Sequence, residues 1–272
     1  MRPAEQSASP IVTSDGYVFD NAASEAGQRF DALSTLFDPT TFRHIEALGV
    51  SDGWRCWEVG AGGPTVANWL ADRAGPDGYV LATDINTRWA DDHVRPTVEV
   101  RTHDVTAGPV PGEQFDLVHA RLVLSHLPAR DEALRRMAAA LKPGGWLLVE
   151  DFDEIVPLNC IDPDQPEHRR ANDLHAAVRA LLTRRGSDLT YARKLPRLLR
   201  ALGLDQVGAD AYFTVALPAA GMLSSANITQ VRDVLISEGF ATDETIDAHL
   251  NAIADGGIDL GTAPLISAWG QR

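Results

Sequence analysis

The chain has little cysteine and no long hydrophobic run. Among its 272 residues there are two cysteines, Cys56 and Cys160, too few for a disulfide framework or a cysteine-rich metal site. This usage is typical of a reducing compartment, so we expect a cytoplasmic protein. Nowhere do the roughly 18 consecutive apolar residues of a membrane-spanning helix occur, and the polar N-terminal segment lacks the apolar region of a secretory signal. We therefore predict no membrane partner.

Positive charge is also scarce. The chain carries 24 Lys and Arg against 38 Asp and Glu, a formal net charge of -14. Binding to a phosphate backbone needs clustered basic side chains. The densest basic stretch, residues 184–200, places its Lys and Arg at helical spacings between apolar residues, which favours a solvated helix face over a binding patch. We therefore predict no nucleic-acid partner.

The sequence does contain a regular alternation of short apolar strands and amphipathic helices. Strands are predicted at residues 55–59, 79–83, 98–101, 115–119 and 146–150, then at 212–217 and 265–269. The alternation predicts an α/β fold: a Rossmann-like, doubly wound, mostly parallel sheet of seven strands. Ligands of such sheets bind at the carboxyl ends of the strands.

Other segments surround this core. We expect residues 1–14 to lack fixed structure, and residues 15–50 to form a helical lid of two helices separated at Asp38-Pro39. The remainder, 51–272, is predicted to be the catalytic core, with two insertions that fold over the strand ends as a substrate cap, near 154–190 and 218–262. The N-terminal helices are also a candidate homodimer contact.

The most informative stretch is the turn after the first strand, Glu58-Val59-Gly60-Ala61-Gly62-Gly63. Gly60 and Gly62 stand where the chain must turn sharply and approach a ligand with its backbone. A dinucleotide fingerprint would need a third glycine at position 65, which is Thr65. Glu58 would repel a pyrophosphate, whereas it suits the sulfonium and ammonium of S-adenosylmethionine.

In its order of motifs, the chain resembles the class I S-adenosylmethionine-dependent methyltransferases over roughly residues 54–153. The resemblance implies that the glycine turn lies against the methionine part of the cofactor, that Asp84 binds both ribose hydroxyls and that Ile85 lies against the adenine. Asp104 matches the acid that accepts a bond from the adenine amino group, although an Asp before Val-Thr is also a turn former. The predicted cofactor-binding residues are Glu58, Gly60, Ala61, Gly62, Asp84, Ile85, Asp104, Val105, Ala120 and Arg121.

The catalytic and acceptor-binding residues are predicted less sharply. A proton-bearing acceptor needs a base, for which we consider His126, which ordinarily titrates near neutrality, and His119 nearer the strand end. Tyr17 resembles part of a lid that closes over both ligands in some small-molecule methyltransferases, and is a further catalytic candidate. The predicted acceptor-binding residues are Tyr17, Phe19, Asp20, Asp151, Phe152 and Asp153.

The main hypothesis is metal-independent methyl transfer from S-adenosylmethionine to a small molecule, a specialised metabolite of aromatic or indole type. Catechol methyltransferases use magnesium, but Asp151, Asp153 and Glu154 do not reproduce their arrangement, so no metal is expected. Two alternatives stay open: a nicotinamide-dependent oxidoreductase and a non-catalytic binding protein on the same fold. Whether carbon, nitrogen or oxygen is methylated is also open.

Overall fold

The structure is a computed structural model that describes residues 18, 19, 21, 25–90, 94–107, 109, 112, 114–154, 161, 162 and 164–272. Its strands are β1 (Arg55–Val59), β2 (Tyr79–Asp84), β3 (Val98–Thr102), β4 (Phe115–Arg121), β5 (Leu141–Phe152), β6 (Asp205–Tyr212) and β7 (Leu265–Gln271). Its helices are α1 (Glu25–Ala47), α2 (Thr65–Ala74), α3 (Arg130–Ala139), α4 (Pro166–Arg184), α5 (Leu195–Ala201), α6 (Pro218–Ser237) and α7 (Asp243–Ala254), with 3₁₀ turns at Leu124–His126 and Ala192–Lys194.

The strands form one sheet of order β3-β2-β1-β4-β5-β7-β6. Neighbours among β1 to β5 pair in parallel, and β7 runs antiparallel to both β5 and β6. The predicted Rossmann-like, mostly parallel seven-stranded sheet is confirmed. Four of the five residues of β1 and five of the six residues of β2 are buried, because helices cover both faces of a parallel sheet. This arrangement brings the carboxyl ends of β1 to β4 to one edge.

Helix α1 corrects one prediction. The sequence predicted two helices separated at Asp38-Pro39, but α1 continues through Pro39. A proline inside a helix removes one backbone hydrogen bond and crowds the preceding turn, and burial on either side offsets that cost. Phe37 and Ile45 are fully buried, and Asp38 accepts a hydrogen bond from Arg121 of β4 at 2.8 Å.

The sixth strand is also displaced from its prediction. It was expected at residues 212–217 but spans Asp205–Tyr212. β6 is the edge of the sheet, so most of its side chains are exposed and the strand lacks apolar alternation. The apolar residues that suggested the strand, Phe213, Val215 and Leu217, follow it and are 42–52% exposed.

Three helices of the C-terminal half pack against one another beside the sheet. Leu181 of α4, Val231 and Leu235 of α6 and Ile246 of α7 share one apolar cluster. These helices lie within the two predicted cap insertions, and their role in binding an acceptor stays a prediction. Across the described ranges, every helix is too short or too polar to cross a bilayer.

Candidate active site

A cavity of about 510 Å³ lies at the carboxyl ends of β1 to β4, with α1 along one side. This volume is within the roughly 300–1,000 Å³ of small-ligand sites. Most of the predicted cofactor residues line it, and so does one predicted catalytic residue: Glu58, Gly60, Ala61, Gly62, Asp84, Ile85, Asp104, Val105, Arg121 and His126. The topology therefore brings together residues that are up to 68 positions apart in the chain.

The glycine turn forms the floor of the cavity. Gly60 and Gly62 have φ of +68° and +59°, a region that side chains rarely adopt. A Cβ on Gly60 would lie 2.4 Å from Val123 Cγ2, and one on Gly62 would lie 2.6 Å from Phe30 Cε1. The amides of Gly60 and Ala61 donate to the carbonyl of Thr83 at 2.7 and 3.0 Å. Glycine is thus required both by backbone conformation and by the closeness of neighbouring walls.

Asp84 ends β2 with its carboxylate held by backbone amides. Gly62 donates to Oδ2 at 3.0 Å, and Asn86 donates to Oδ1 at 2.9 Å. Burial raises the pKa of Asp84, while these amides and the charge of Arg29 oppose the rise. Each carboxylate oxygen has two acceptor sites. The group is therefore oriented as an acceptor for a ligand's hydroxyls.

Ile85 and Asp104 both line the cavity, Ile85 with an apolar side chain and Asp104 with a carboxylate bonded within its own turn. Ile85 is 57% exposed, unusual for a large aliphatic side chain, and presents an apolar surface to the cavity. Asp104 Oδ1 accepts from the amide and hydroxyl of Thr106 at 2.8 and 2.6 Å. Asp104 is thus the turn former that its sequence context allowed, and it also lines the cavity.

His119 does not lie where a base could reach a ligand. It is fully buried, with Nδ1 2.5 Å from Glu58 Oε2 and Nε2 3.3 Å from Glu150 Oε2. Both ring nitrogens are thus occupied by carboxylates. The structure thus places His119, a predicted catalytic base, outside the cavity wall.

His126 does line the cavity, in the 3₁₀ turn after β4. Burial and the nearby charges of Arg29 and Arg130 lower the pKa of His126 to about 4. The expectation that it titrates near neutrality is therefore corrected: it is a neutral imidazole at pH 7. Its Nδ1 lies 3.4 Å from Ser187 Oγ.

The three predicted acceptor-binding residues at the end of β5 and just after it, Asp151, Phe152 and Asp153, make contacts with other protein side chains. Asp151 accepts from the amide and hydroxyl of Ser125 at 2.8 and 2.7 Å, and burial raises its pKa to about 6. Asp153 accepts two bonds from Arg193, both at 2.6 Å, and Phe152 packs edge-on against Phe37. None of the three lines the cavity, and their role in binding an acceptor stays a prediction.

Two further predicted residues are part of the packed interior. Ala120 is fully buried in the central apolar cluster and does not line the cavity. Phe19 is 6% exposed and packs with the α4, α6 and α7 helices. Small or aromatic side chains next to a site are often placed there by packing alone, which the sequence could not distinguish. Tyr17 and Asp20 lie outside the described residues.

Sequence reasoning missed the wall that α1 supplies, which includes Arg29, Phe30 and Leu33. Arg29 is 6% exposed, lies over the rings of Phe19 and Phe30 at 5.2 and 4.9 Å from their centroids, and donates to Asn21 Oδ1 at 2.6 Å. The sequence signal was a single arginine on the apolar face of a predicted helix, which is too common to stand out.

Among the residues that the structure describes, no three His, Cys, Asp or Glu side chains form a group that could hold a metal ion. The cations and anions of the cavity wall come instead from Arg29 and Arg121 and from Glu58, Asp84 and Asp104. Arg121 is itself paired with Asp38, at 2.8 Å.

Comparison with known proteins identifies this arrangement. Residues 30–208 match the profile of a family described as "Methyltransferase domain". A curated relative, the methyltransferase str2 of Strobilurus tenacellus, is 36% identical over 175 residues, which are 64% of this chain and 61% of the relative. The ubiquinone/menaquinone biosynthesis C-methyltransferase UbiE of Bordetella parapertussis is 32% identical over 51% of this chain and 56% of its own. The chain thus spans about three fifths of the length of these curated relatives.

Solved structures share the fold at low sequence identity. A SAM dependent methyltransferase from Aquifex aeolicus has a TM-score of 0.53 at 15% identity, covering 93% of this chain and 98% of its own. A phosphoethanolamine N-methyltransferase 2 of Haemonchus contortus, solved with phosphomonomethylethanolamine and S-adenosylhomocysteine, has a TM-score of 0.55 at 14% identity and covers 92% of this chain and 58% of its own. The profile match decides against the oxidoreductase alternative, and with the geometry of the cavity it shows that the chain belongs to the family of methyltransferase domains.

Proposed function

We propose that this protein transfers a methyl group from S-adenosylmethionine to a small-molecule acceptor bound in the same cavity. The observation that carries the proposal is the joint placement of the glycine turn, Glu58 and Asp84 on the cavity wall. Each matches one part of the cofactor in chemistry: close backbone for the methionine part, a carboxylate for its ammonium, and an oriented acceptor for the ribose hydroxyls. The exposed Ile85 supplies an apolar surface for the adenine.

Arg29 extends this fit. A buried guanidinium on the cavity wall is suited to the carboxylate of the methionine part, because arginine binds carboxylates through parallel hydrogen bonds. Glu58 and Arg29 together would then hold the ammonium and carboxylate of one amino-acid group. With the cofactor bound, its sulfonium would supply an electrophilic methyl group. The acceptor atom would have to lie on the side of the methyl carbon opposite the sulfur, in line with the bond that breaks. The protein's contribution is position and exclusion of water.

His126 is the catalytic candidate that lies on the cavity wall. A pKa of about 4 makes it a weak base and a neutral hydrogen-bonding partner at pH 7. We propose that it orients a polar group of the acceptor. Leu33, Leu122 and Leu127 line the same cavity and favour a largely apolar acceptor. The acceptor class we propose is an aromatic specialised metabolite, and the quinone-pathway name of the UbiE relatives adds quinol-like rings to the compounds worth testing.

The test is calorimetric titration with S-adenosylhomocysteine, comparing the wild type with Asp84→Ala. We expect binding in the micromolar range and a loss of about tenfold or more in the variant, the scale of a good hydrogen bond to a charged group. Asp72→Ala is the matched control, because Asp72 is exposed and paired with Arg95. The absence of binding in the wild type would refute the proposed cofactor.

Turnover separates an enzyme from a binding protein on the same fold. The wild type would be incubated with S-adenosylmethionine and a panel of phenols, indoles and quinols, and release of S-adenosylhomocysteine measured. Product that depends on one acceptor class supports the proposal and names the class. Tight cofactor binding without turnover on any panel member would favour the non-catalytic alternative.

A further inference from the structure

One face of the sheet carries a row of polar side chains that crosses five neighbouring strands. The row consists of Glu58, His119, Glu150, Ser267 and Asp210, one from each of β1, β4, β5, β7 and β6. Glu58 stands opposite His119 in the strand register, and Ser267 stands opposite both Glu150 and Asp210. A buried polar row inside an otherwise apolar sheet is costly unless it is fully paired, so its contacts bear on function.

The contacts form a continuous chain from the cavity to the far edge of the sheet. His119 bridges Glu58 and Glu150, with N–O distances of 2.5 and 3.3 Å. His44 of α1 then lies between Glu150 and Asp210: its Nδ1 is 3.3 Å from Glu150 Oε1, an ion-pair distance, and its Nε2 is 2.9 Å from Asp210 Oδ1. Two imidazoles thus alternate with three carboxylates.

The centre of the row has no access to water. His119 and Glu150 are fully buried and Glu58 is 3% exposed. The remaining oxygen contacts of Glu150 come from hydroxyls: Ser267 donates at 2.6 Å and Thr41 of α1 donates at 2.5 Å. With a buried carboxylate on either side of it, the His119 ring is stabilised as a cation.

The protonation states agree with this geometry. Burial acts to lower the pKa of His119, but the charges and hydrogen bonds of Glu58 and Glu150 outweigh it and raise the pKa to about 9. His44 is shifted in the same direction by Glu150 and Asp210, against its burial. Burial would raise the pKa of Glu150, but His119 and His44 drive it well below its usual range. At neutral pH His119 is therefore an imidazolium.

The row of polar side chains touches the cavity through Glu58 and helix α1 through His44. Glu58 is the member that lines the cavity. His44 and Thr41 belong to α1, the helix whose N-terminal half supplies Arg29 and Phe30 to the cavity wall. The pocket carboxylate and the helix that covers it are consequently held by the same buried charges.

We propose that His119 is a positioning residue for cofactor binding: it lies between Glu58 and Glu150, and its positive charge holds the pocket carboxylate aimed at the cofactor's ammonium. This inference rests on the proposed function. The charged groups around His119 are Glu58 and Glu150 from the sheet and His44 from α1, with Arg121 acting on Glu150. Removal of the ring's charge leaves two carboxylates with no cation between them, which favours uptake of a proton by the pair as the pH falls.

The test compares S-adenosylhomocysteine affinity in the wild type and His119→Gln at pH 6 and pH 8.5. Glutamine keeps a hydrogen-bonding group but removes the positive charge. We expect the variant to bind at least about tenfold more weakly than the wild type at pH 6, where the pair of carboxylates left without a cation between them takes up a proton, and within about threefold of it at pH 8.5. Because the affinity of the variant is divided by that of the wild type at the same pH, the titration of the ligand itself does not affect the comparison.

A double variant tests the charge argument directly. In His119→Gln/Glu150→Gln the facing carboxylate is gone, so the pocket carboxylate has no like charge beside it and the affinity at pH 6 is expected to return to within about threefold of the wild type. His175→Gln is the matched control, because His175 is a half-buried histidine of α4 whose Nε2 lies 3.1 Å from Ser224 Oγ. It is expected to change affinity at neither pH.

The outcomes are distinguishable. Equal affinity ratios at both pH values in His119→Gln, or no recovery in the double variant, would overturn the inference while leaving the proposed function intact. No binding by the wild type would instead refute the proposed function. Should His119→Gln fail to fold, imidazole ¹⁵N NMR of the wild type decides: a doubly protonated His119 at pH 7.5 supports the inference, and a neutral one overturns it.

Discussion

The amide of Gly62 donates a hydrogen bond to the carboxylate of Asp84 at 3.0 Å, so the turn after β1 and the acid that ends β2 form one unit. The bond orients the acid and leaves acceptor capacity on both of its oxygens. It also explains why the two motifs occur together in the chain although 22 positions separate them. A change at either residue is expected to alter the position of the other.

Gly62→Ala is expected to disrupt the site. The added Cβ would need a φ of +59° and would meet Phe30 Cε1 at 2.6 Å, so we expect S-adenosylhomocysteine affinity to fall by about tenfold or more and stability by about 1–3 kcal/mol. Calorimetric titration and urea unfolding measure the two effects.

Gly239→Ala is the control for Gly62→Ala. Gly239 has a φ of +75° but nothing within 4 Å of the added Cβ, so it shares the backbone strain and not the clash. A smaller loss of stability, with unchanged binding of S-adenosylhomocysteine, is expected. Wild-type binding by Gly62→Ala would contradict the placement of the turn against the cofactor.

Arg29→Met should weaken cofactor binding and change the titration of His126. The guanidinium lies on the cavity wall, and its charge helps to lower the pKa of His126 to about 4. Its removal is expected to reduce S-adenosylhomocysteine affinity by about tenfold and to raise the pKa of His126 toward its ordinary value near 6.5. NMR titration of the imidazole follows the second effect.

The control for Arg29→Met is Arg184→Met. Arg184 also lies over an aromatic ring, that of Phe240 at 4.8 Å, but on an exposed surface. Arg184→Met should change neither the affinity for S-adenosylhomocysteine nor the pKa of His126. An unchanged affinity in Arg29→Met would place the cofactor's carboxylate elsewhere.

Ile85→Ala is expected to weaken binding without unfolding the protein. Because Ile85 is 57% exposed, truncation costs little core packing, whereas an adenine packed against it would lose apolar contact. We expect affinity for S-adenosylhomocysteine to fall by about threefold to tenfold. Ile161→Ala, at a side chain that is 46% exposed and outside the cavity wall, should leave the affinity unchanged.

Stability is expected to fall as the pH falls below 6.5. Burial lowers the pKa of His126 and His249 to about 4 and that of His175 to about 3. A histidine with a depressed folded pKa contributes stability above its unfolded pKa of about 6.5, and that contribution is lost between 6.5 and the folded value, by at most about 1.4 kcal/mol per pH unit and group.

His119 acts in the opposite direction. Its pKa is raised to about 9, so its contribution is fully present below pH 6.5 and is lost as the pH rises toward 9. Urea unfolding from pH 4 to 9 measures both slopes. His175→Gln should reduce the dependence of the unfolding free energy on pH only on the acid side. His119→Gln should reduce it only on the alkaline side. An acid slope unaffected by His175→Gln would show that other groups cause it.

The sequence by itself determined the parallel sheet, the family and the placement of Gly60, Gly62, Asp84 and Ile85 on the cavity wall. These features are local: a short apolar strand, a turn that only glycine adopts, and an acid at the strand's end follow from neighbouring residues. Strand alternation then brings the strand ends together at one edge, whatever the helices do.

The tertiary structure alone decided the rest, because it depended on contacts between residues far apart in the chain. Pro39 stays inside a helix because Arg121 holds Asp38 and the helix is buried on either side. His119 lies off the cavity wall, and Glu150, 31 positions later, occupies its second nitrogen. Arg29 is on the cavity wall because α1 packs beside the strand ends. Burial and charge pairing of this kind leave no periodic signal in the sequence.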